Sequence, residues 1–147
     1  MSQPRVSLDT VSAGQSFEAI PLDLSRDTVE RFLETLEGRP AQNAEGVLLT
    51  PPSVVSSLSL GALLTRVALP DGCLHASQEV IMARPIPVGA SALCEAAVSA
   101  VSSRGGLTFV TLDFTVRQAD ARDGDSGGDV LATGSGTVMF PAGGSGA

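Results

Sequence analysis

The sequence contains no tryptophan and no tyrosine, and its five phenylalanines are its only aromatic residues. Aliphatic side chains and alanine must therefore fill the core. Proteins that hold single-stranded nucleic acid stack the bases on aromatic side chains, which are scarce here. Basic residues are also few, since nine Lys and Arg stand against sixteen Asp and Glu, giving a net charge of −7. Because a phosphate backbone needs a positively charged surface, we predict no nucleic-acid partner.

Cysteine and histidine are equally sparse. Cys73 and Cys94 are too few and too far apart for a disulfide framework or a CxxC site, so we expect reduced, buried thiols. His75 is the single histidine, and His and Cys within one subunit therefore cannot supply a zinc cluster. We predict no metal site and no cofactor.

Long apolar runs are missing as well. No stretch offers 18 uninterrupted apolar residues, and the N-terminus MSQPRVSLDT lacks the apolar core of a signal peptide. The sequence therefore supports neither secretion nor a membrane span, and we expect a cytoplasmic protein.

The length of 147 residues is typical of one domain. We expect a flexible N-terminal arm over residues 1–14, a single domain over 15–141 and a flexible tail over 142–147. The acidic, Gly-rich segment 119–129 lies between two predicted strands. It lacks the Glu and the flanking helices of an EF-hand, so we interpret it as a mobile hairpin loop.

The first half of the domain contains two predicted helices. Apolar and polar residues alternate over 16–24, as is typical of a short strand. Ser25 can then cap a helix that should end at Gly38. Residues 38–52 show no regular spacing of apolar residues and should form a loop. The segment 53–69 is apolar around most of its circumference and carries one charge, which is typical of a helix enclosed by protein.

After the turn at 69–72, apolar and polar residues alternate with a period of two. This alternation predicts antiparallel strands to the end of the domain. The sequence RGG at 104–106 predicts a hairpin turn. Gly134 and Gly136 fall on the inner face of the last strand, where they would let a helix approach closely. The four predicted strands are HASQEVIMA (75–83), SALCEAAVSAVS (91–102), GLTFVTLDFTVRQ (106–118) and DVLATGSGTVMF (129–140).

This order of elements predicts an α+β hotdog fold, in which a curled antiparallel sheet wraps around a long central helix. The segment 69–98, LPDGCLHASQEVIMARPIPVGASALCEAAV, resembles the MaoC-like hydratase family, particularly its fungal fatty-acid-synthase-type dehydratases. Residues 82–89, MARPIPVG, match the family's pattern at a strand end. The closing strand and the opening GQSFEAI are also similar, so the resemblance extends from about Gly14 to Pro141.

The resemblance implies the hydration of a trans-2-enoyl thioester, or the reverse dehydration. In that family an Asp and a His in an Asp-x-Asn-Pro-x-His motif, in the loop before the central helix, activate the water. Here that loop has no His, and its only acid is Glu45. Glu45 and His75 are therefore the candidate catalytic residues. Asn43, a possible remnant of the motif, and Arg84, which is placed to meet a coenzyme A phosphate, are the candidate ligand-binding residues.

Three functions remain open at this point. The first is a non-catalytic subunit that binds an acyl-CoA or acyl-carrier thioester, as a homodimer or as a heteromer with a catalytic hotdog subunit. The second is an active hydratase or dehydratase that uses Glu45, with His75 or Asn43, across a dimer interface. The third is a hotdog thioesterase or a structural homodimer, although residues 53–69 lack the acid that such thioesterases carry on the central helix.

Overall fold

The computed structural model describes residues 5–35, 41–119 and 128–142. The predicted strands of the second half are all present, with ends within about two residues of the expected ones. Within the described residues the elements are β1 (Val6–Ser7), β2 (Ser16–Leu22), α1 (Arg26–Thr35), β3 (Ala41–Gln42), β4 (Leu48–Leu49), α2 (Pro52–Leu63), β5 (Val67–Ala68), β6 (Leu74–Met82), β7 (Ala92–Arg104), β8 (Leu107–Gln118) and β9 (Val130–Pro141).

The main sheet has five antiparallel strands in the order β2-β7-β8-β9-β6. Its central hairpin forms as predicted: Arg104 pairs with Leu107, and both intervening glycines have positive φ, as a tight two-residue turn requires. Along β8 the side chains of Val110, Leu112, Phe114 and Val116 are buried, which confirms the predicted inner face. β2 and β6 form the two edges of the sheet.

Helix α2 packs against the inner face of this sheet. Val55, Ala62 and Leu63 join the main core cluster together with inward-facing residues of β7, β8 and β9. The preceding helix α1 begins as expected, because the Ser25 hydroxyl accepts a hydrogen bond from the Thr28 N–H at 3.3 Å. The expected end of α1 at Gly38 lies outside the described residues.

The central helix is shorter than the predicted segment 53–69, since α2 has 12 residues and ends at Leu63. The backbone then tightens, and the Arg66 N–H donates to the Leu63 carbonyl at 2.9 Å. Residues Val67–Ala68 leave the helix to form β5, which pairs in parallel with β1. Strand pairing with a distant segment therefore overrides the local helical pattern.

The N-terminal segment packs against the rest of the domain over the part that the structure describes. The Val6 N–H donates to the Arg66 carbonyl at 2.8 Å, and the Gly14 N–H donates to the Val98 carbonyl at 2.8 Å. Leu8 is 1% exposed and belongs to the main core cluster. Within the segment predicted as a loose arm, residues 5–14 therefore pack onto the domain through the buried side chains of Leu8 and Val11.

Three further segments were predicted to be irregular: the loop before α2, the acidic segment and the C-terminal tail. The predicted loop 38–52 contains a small hairpin, β3–β4. Residues 120–127 of the acidic segment and 143–147 of the tail lie outside the described residues. In the part of the chain that the structure describes, no helix is long and apolar enough to cross a membrane.

The two glycines of β9 have different surroundings. A Cβ atom at Gly134 would lie 2.3 Å from Cζ of Phe114 and 2.4 Å from the carbonyl oxygen of Glu79. The space beside Gly134 is therefore filled by the Phe114 ring and by the backbone of β6, not by a helix as expected. A Cβ atom at Gly136 would meet its nearest neighbour only at 3.8 Å.

Candidate functional site

A narrow slot opens between α2 and the inner face of the sheet. Gly136 leaves its floor without a side chain, and apolar residues of α2, β8 and β9 form most of its walls. Its cavity volume is ≈ 10 Å³, which is about what one water molecule needs. The lining residues are Leu60, Leu63, His75, Gln78, Leu112, Phe114, Gly136 and Val138.

The mouth of the slot lies at the edge strand β6 and is polar. The Gln78 side-chain amide donates to the Ser56 carbonyl at 2.9 Å and also contacts the Ser56 hydroxyl, which ties β6 to α2. His75 is exposed, and its Nε2 lies 4.0 Å from the position of a Cβ atom at Gly136. The slot thus combines an apolar interior with an imidazole and an amide at its entrance.

A second cavity of ≈ 280 Å³ lies at the start of α2. Arg84 lines it, and its Nη1 donates to Oδ2 of Asp129 at 2.8 Å. The Thr50 hydroxyl is buried beside it and has no hydrogen-bond partner among the described residues. The cavity is otherwise apolar, with the lining residues Leu49, Thr50, Pro51, Pro52, Met82, Ala83, Arg84 and Pro85.

The N-terminus of α2 offers few free N–H groups to a ligand. Pro51 and Pro52 have no N–H at all. The N–H groups of Val54 and Val55 already donate to the Pro51 carbonyl, at 3.0 and 3.1 Å. Since a helix N-terminus binds a carbonyl oxygen or an anion through its free N–H groups, this one is poorly equipped to do so.

Asn43 and Glu45 lie in the turn of the β3–β4 hairpin. The Asn43 Oδ1 accepts hydrogen bonds from the N–H groups of Glu45 and Val47, at 2.9 and 3.0 Å, so this side chain shapes the turn. The Glu45 side chain is exposed and lines neither cavity. Asn43 and, three residues later, Gly46, whose φ is 81°, are both residues that favour turns.

The structure therefore separates the four predicted site residues. His75 lines the slot, Arg84 lines the second cavity, and Asn43 and Glu45 lie in a surface turn. The sequence interpretation did not single out Gln78 or Gly136 as site residues, because their roles depend on the register of β6, β8 and β9. Within the described ranges, no group of three or more His, Cys, Asp and Glu side chains is placed to hold a metal ion.

The thiol of Cys94 is buried between the sheet and α2. Burial raises its pKa to about 11, and the neighbouring Ser59 hydroxyl partly opposes this shift. Cys73 is half-buried, and burial raises its pKa as well. Both thiols are therefore protonated at neutral pH and poorly suited to act as nucleophiles.

Comparison of the fold with solved structures gives matches over nearly the whole chain. A monoamine oxidase regulatory protein from Archaeoglobus fulgidus aligns over 96% of this chain and 97% of its own, with 15% identity and a TM-score of 0.71. An (R)-hydratase from A. caviae involved in PHA biosynthesis aligns over 90% and 98%, with 20% identity and a TM-score of 0.67.

A further match is the C-terminally truncated HadBC (3R-hydroxyacyl-ACP dehydratase) complex from Mycobacterium tuberculosis, which aligns over 90% of this chain and 100% of the matched chain, with 16% identity and a TM-score of 0.71. No protein-family model matches the sequence, and no curated protein sequence matches it significantly. At these identities the similarity establishes the fold. The chain therefore has the predicted α+β hotdog fold, the fold of MaoC-like dehydratases and (R)-hydratases.

Proposed function

We propose that this chain is a cytoplasmic, non-catalytic hotdog subunit that binds acyl thioesters such as acyl-CoA and pairs with a second hotdog chain. One observation carries the proposal: among the residues that line these two cavities, His75 is the only imidazole, and none is a carboxylate. The cavities thus offer apolar binding surface without a pair of catalytic groups.

Hydration of an enoyl thioester needs two proton transfers, one from the attacking water and one to the α carbon. It also needs hydrogen-bond donors at the thioester oxygen, where negative charge develops. The two prolines at the start of α2 remove donors from the helix end that lies at the second cavity. Glu45, the acid of the preceding loop, is on an exposed turn. These features favour binding without turnover.

The two cavities suit two parts of an acyl thioester. The slot takes the acyl chain, and its polar mouth faces the thioester. The second cavity lies at the other end of α2, and the rise of the helix between Pro52 and Leu60 corresponds to about 12 Å. An extended pantetheine arm can cover that distance. Arg84 then lies where it can meet a coenzyme A phosphate.

The partner belongs at the open edge of β6. Leu74 and Ile81 on this strand are 59% and 62% exposed. An unpaired edge with exposed apolar side chains is a surface that a further strand would cover. We therefore place the second hotdog chain here, in a homodimer or in a heteromer whose other chain supplies catalysis. The HadBC structure is likewise described as a complex.

An active hydratase is the second candidate function, and the position of His75 at the mouth of the slot favours it. There the imidazole is within reach of a thioester whose acyl chain occupies the slot. This function would require a further acid or base from the partner chain. An assay of crotonyl-CoA hydration by the purified chain separates the two candidates.

Binding of butyryl-CoA, measured by isothermal titration calorimetry, tests the proposed function. Arg84→Ala should weaken binding about tenfold, because it removes a charge-assisted hydrogen bond to phosphate. Asp129→Asn should strengthen binding by about twofold, because it frees Arg84 from an exposed ion pair.

Ionic strength provides the control for this experiment. The difference between the wild type and Arg84→Ala should shrink as salt is added, since screening weakens an exposed phosphate contact. A folded wild-type chain that binds no acyl-CoA would contradict the proposed function. Equal affinities of the wild type and both variants would leave binding intact and remove Arg84 from the site.

A further inference from the structure

The cavity at the start of α2 has room for a small ligand. Its volume is ≈ 280 Å³, whereas a closed apolar cavity of about 150 Å³ is large enough for benzene. By that comparison the cavity can hold an alkyl tail of about eight carbons. Its walls are mostly apolar, and Pro52, Ala83 and Pro85 among them are exposed, so the cavity opens to solvent.

This cavity is distinct from the free edge of β6, where we place the partner chain. Met82 is its one lining residue from β6, and neither Leu74 nor Ile81 lines it. Side chains alternate between the two faces of a strand, so Met82 lies on the same face as Gln78, whose side chain contacts α2. The cavity therefore opens beside α2 and not along the free edge of the strand.

The backbone of the walls has few N–H groups left for a ligand. The Thr50 N–H donates to the Ile86 carbonyl at 2.7 Å, and the N–H groups of Ala83 and Arg84 donate to the Leu131 carbonyl at 2.9 and 3.1 Å. Donors for a ligand therefore come mainly from two side chains, the Arg84 guanidinium and the Thr50 hydroxyl. Three further lining residues are prolines, which have no N–H: Pro51, Pro52 and Pro85.

Arg84 already binds a carboxylate at the rim of the cavity, since its Nη1 donates to Oδ2 of Asp129 at 2.8 Å. These two side chains are 58% and 61% exposed, so the pair contributes little stability and another carboxylate can replace Asp129. The Thr50 hydroxyl is buried in the wall without a partner among the described residues. A buried hydroxyl in this state is costly, and a polar atom of an occupant would relieve that cost.

We propose that the cavity at the start of α2 binds a free medium-chain carboxylate, whose alkyl tail packs on the apolar walls and whose carboxylate replaces Asp129 at Arg84. The inference goes beyond the proposed function, because such a ligand has no thioester, no pantetheine arm and no nucleotide. In a chain that binds both ligands, the free carboxylate competes with an acyl-CoA, since both use Arg84.

The test is isothermal titration calorimetry of the full chain with octanoate, butanoate and octan-1-ol. Octanoate should bind at least about tenfold more tightly than butanoate, because each buried methylene group strengthens binding severalfold. It should also bind about tenfold more tightly than octan-1-ol, which has the same tail without the charge. Arg84→Ala should lower the affinity for octanoate to that for octan-1-ol and leave the binding of octan-1-ol unchanged.

Two further variants complete the test, and thermal melting checks that each variant is folded. Asp129→Asn should strengthen octanoate binding about twofold, because the competing carboxylate is lost. Arg104→Ala is the matched control, since it removes the same charge from an exposed residue at the β7–β8 hairpin. It should leave the affinity for octanoate unchanged.

Equal binding of octanoate and octan-1-ol to the wild type would overturn the inference. So would octanoate binding that is as tight in Arg84→Ala as in the wild type. Octanoate binding that depends on Arg84, in a chain that binds no acyl-CoA, would support the inference and overturn the proposed function alone.

Discussion

Replacing Gly134 by alanine should lower the free energy of unfolding by about 3 kcal/mol, which corresponds to a fall in Tm of roughly 10 °C. The added Cβ would lie 2.3 Å from Cζ of Phe114 and 2.4 Å from the carbonyl oxygen of Glu79. The ring is held in the core, and the Glu79 oxygen belongs to the backbone of the paired strand β6. Neither contact can be relieved by rotating an exposed side chain, so the sheet itself must shift.

Gly136→Ala is the matched control for this prediction, since it adds the same methyl group two residues further along the same face of β9. Its nearest neighbours would lie at 3.8 and 4.0 Å, which are ordinary contacts. Its stability should equal or slightly exceed that of the wild type, because alanine loses less backbone entropy on folding than glycine does. Chemical denaturation of the three proteins measures the difference. Equal losses in both variants would contradict the packing described for Phe114 and Gly134.

Replacing Leu8 by alanine should lower the free energy of unfolding by about 3 kcal/mol, the usual cost of truncating a buried leucine. Leu8 is 1% exposed and packs in the main core cluster, although it lies in a segment that is polar overall. Its own N–H donates to the Ala68 carbonyl at 3.1 Å, which holds it beside β5. The substitution therefore tests whether the N-terminal segment is an integral part of the domain.

Ser12→Ala serves as the control, because Ser12 lies in the same segment and is exposed. This variant should melt within about 2 °C of the wild type, as surface substitutions usually do. If Leu8→Ala were equally silent, the N-terminal segment would be the loose arm that the sequence suggested.

The sheet and the enclosed helix could be predicted from the sequence because their patterns are long and regular. β8 alternates over 12 residues, and its apolar positions form the inner face as expected. The pair Gly105 and Gly106 marks its hairpin. The helix α2 follows the apolar segment predicted to be enclosed by protein. Each of these signals is local, so one sequence is enough to detect it.

Features that depend on distant pairings could not be predicted. The helical pattern continues past Leu63, but the chain leaves the helix there and β5 pairs in parallel with β1. The same pairing gives the N-terminal arm its structure. Leu8 and Val11 are too few to give a recognisable hydrophobic pattern, yet both are buried. Tertiary contacts decide such short segments, whatever their local pattern suggests.

The candidate site was predictable only in part. The sequence singled out His75 and Arg84, and the structure places each in the lining of a cavity. It did not indicate that Asn43 shapes a turn, because the resemblance to a catalytic motif suggested a different role. The slot itself comes from the register that sets Leu112, Gly136 and Gln78 side by side, which no single segment encodes.

We propose that this chain binds an acyl thioester but does not turn it over. The most direct measurement is hydration of crotonyl-CoA by the purified chain alone, followed at the enoyl absorbance, with crotonyl-CoA binding measured on the same sample. Glu45→Ala and His75→Ala are run in parallel. We expect detectable binding with no turnover above the buffer rate in any of the three proteins. Turnover by the wild type that Glu45→Ala or His75→Ala abolishes would contradict it and establish an active hydratase.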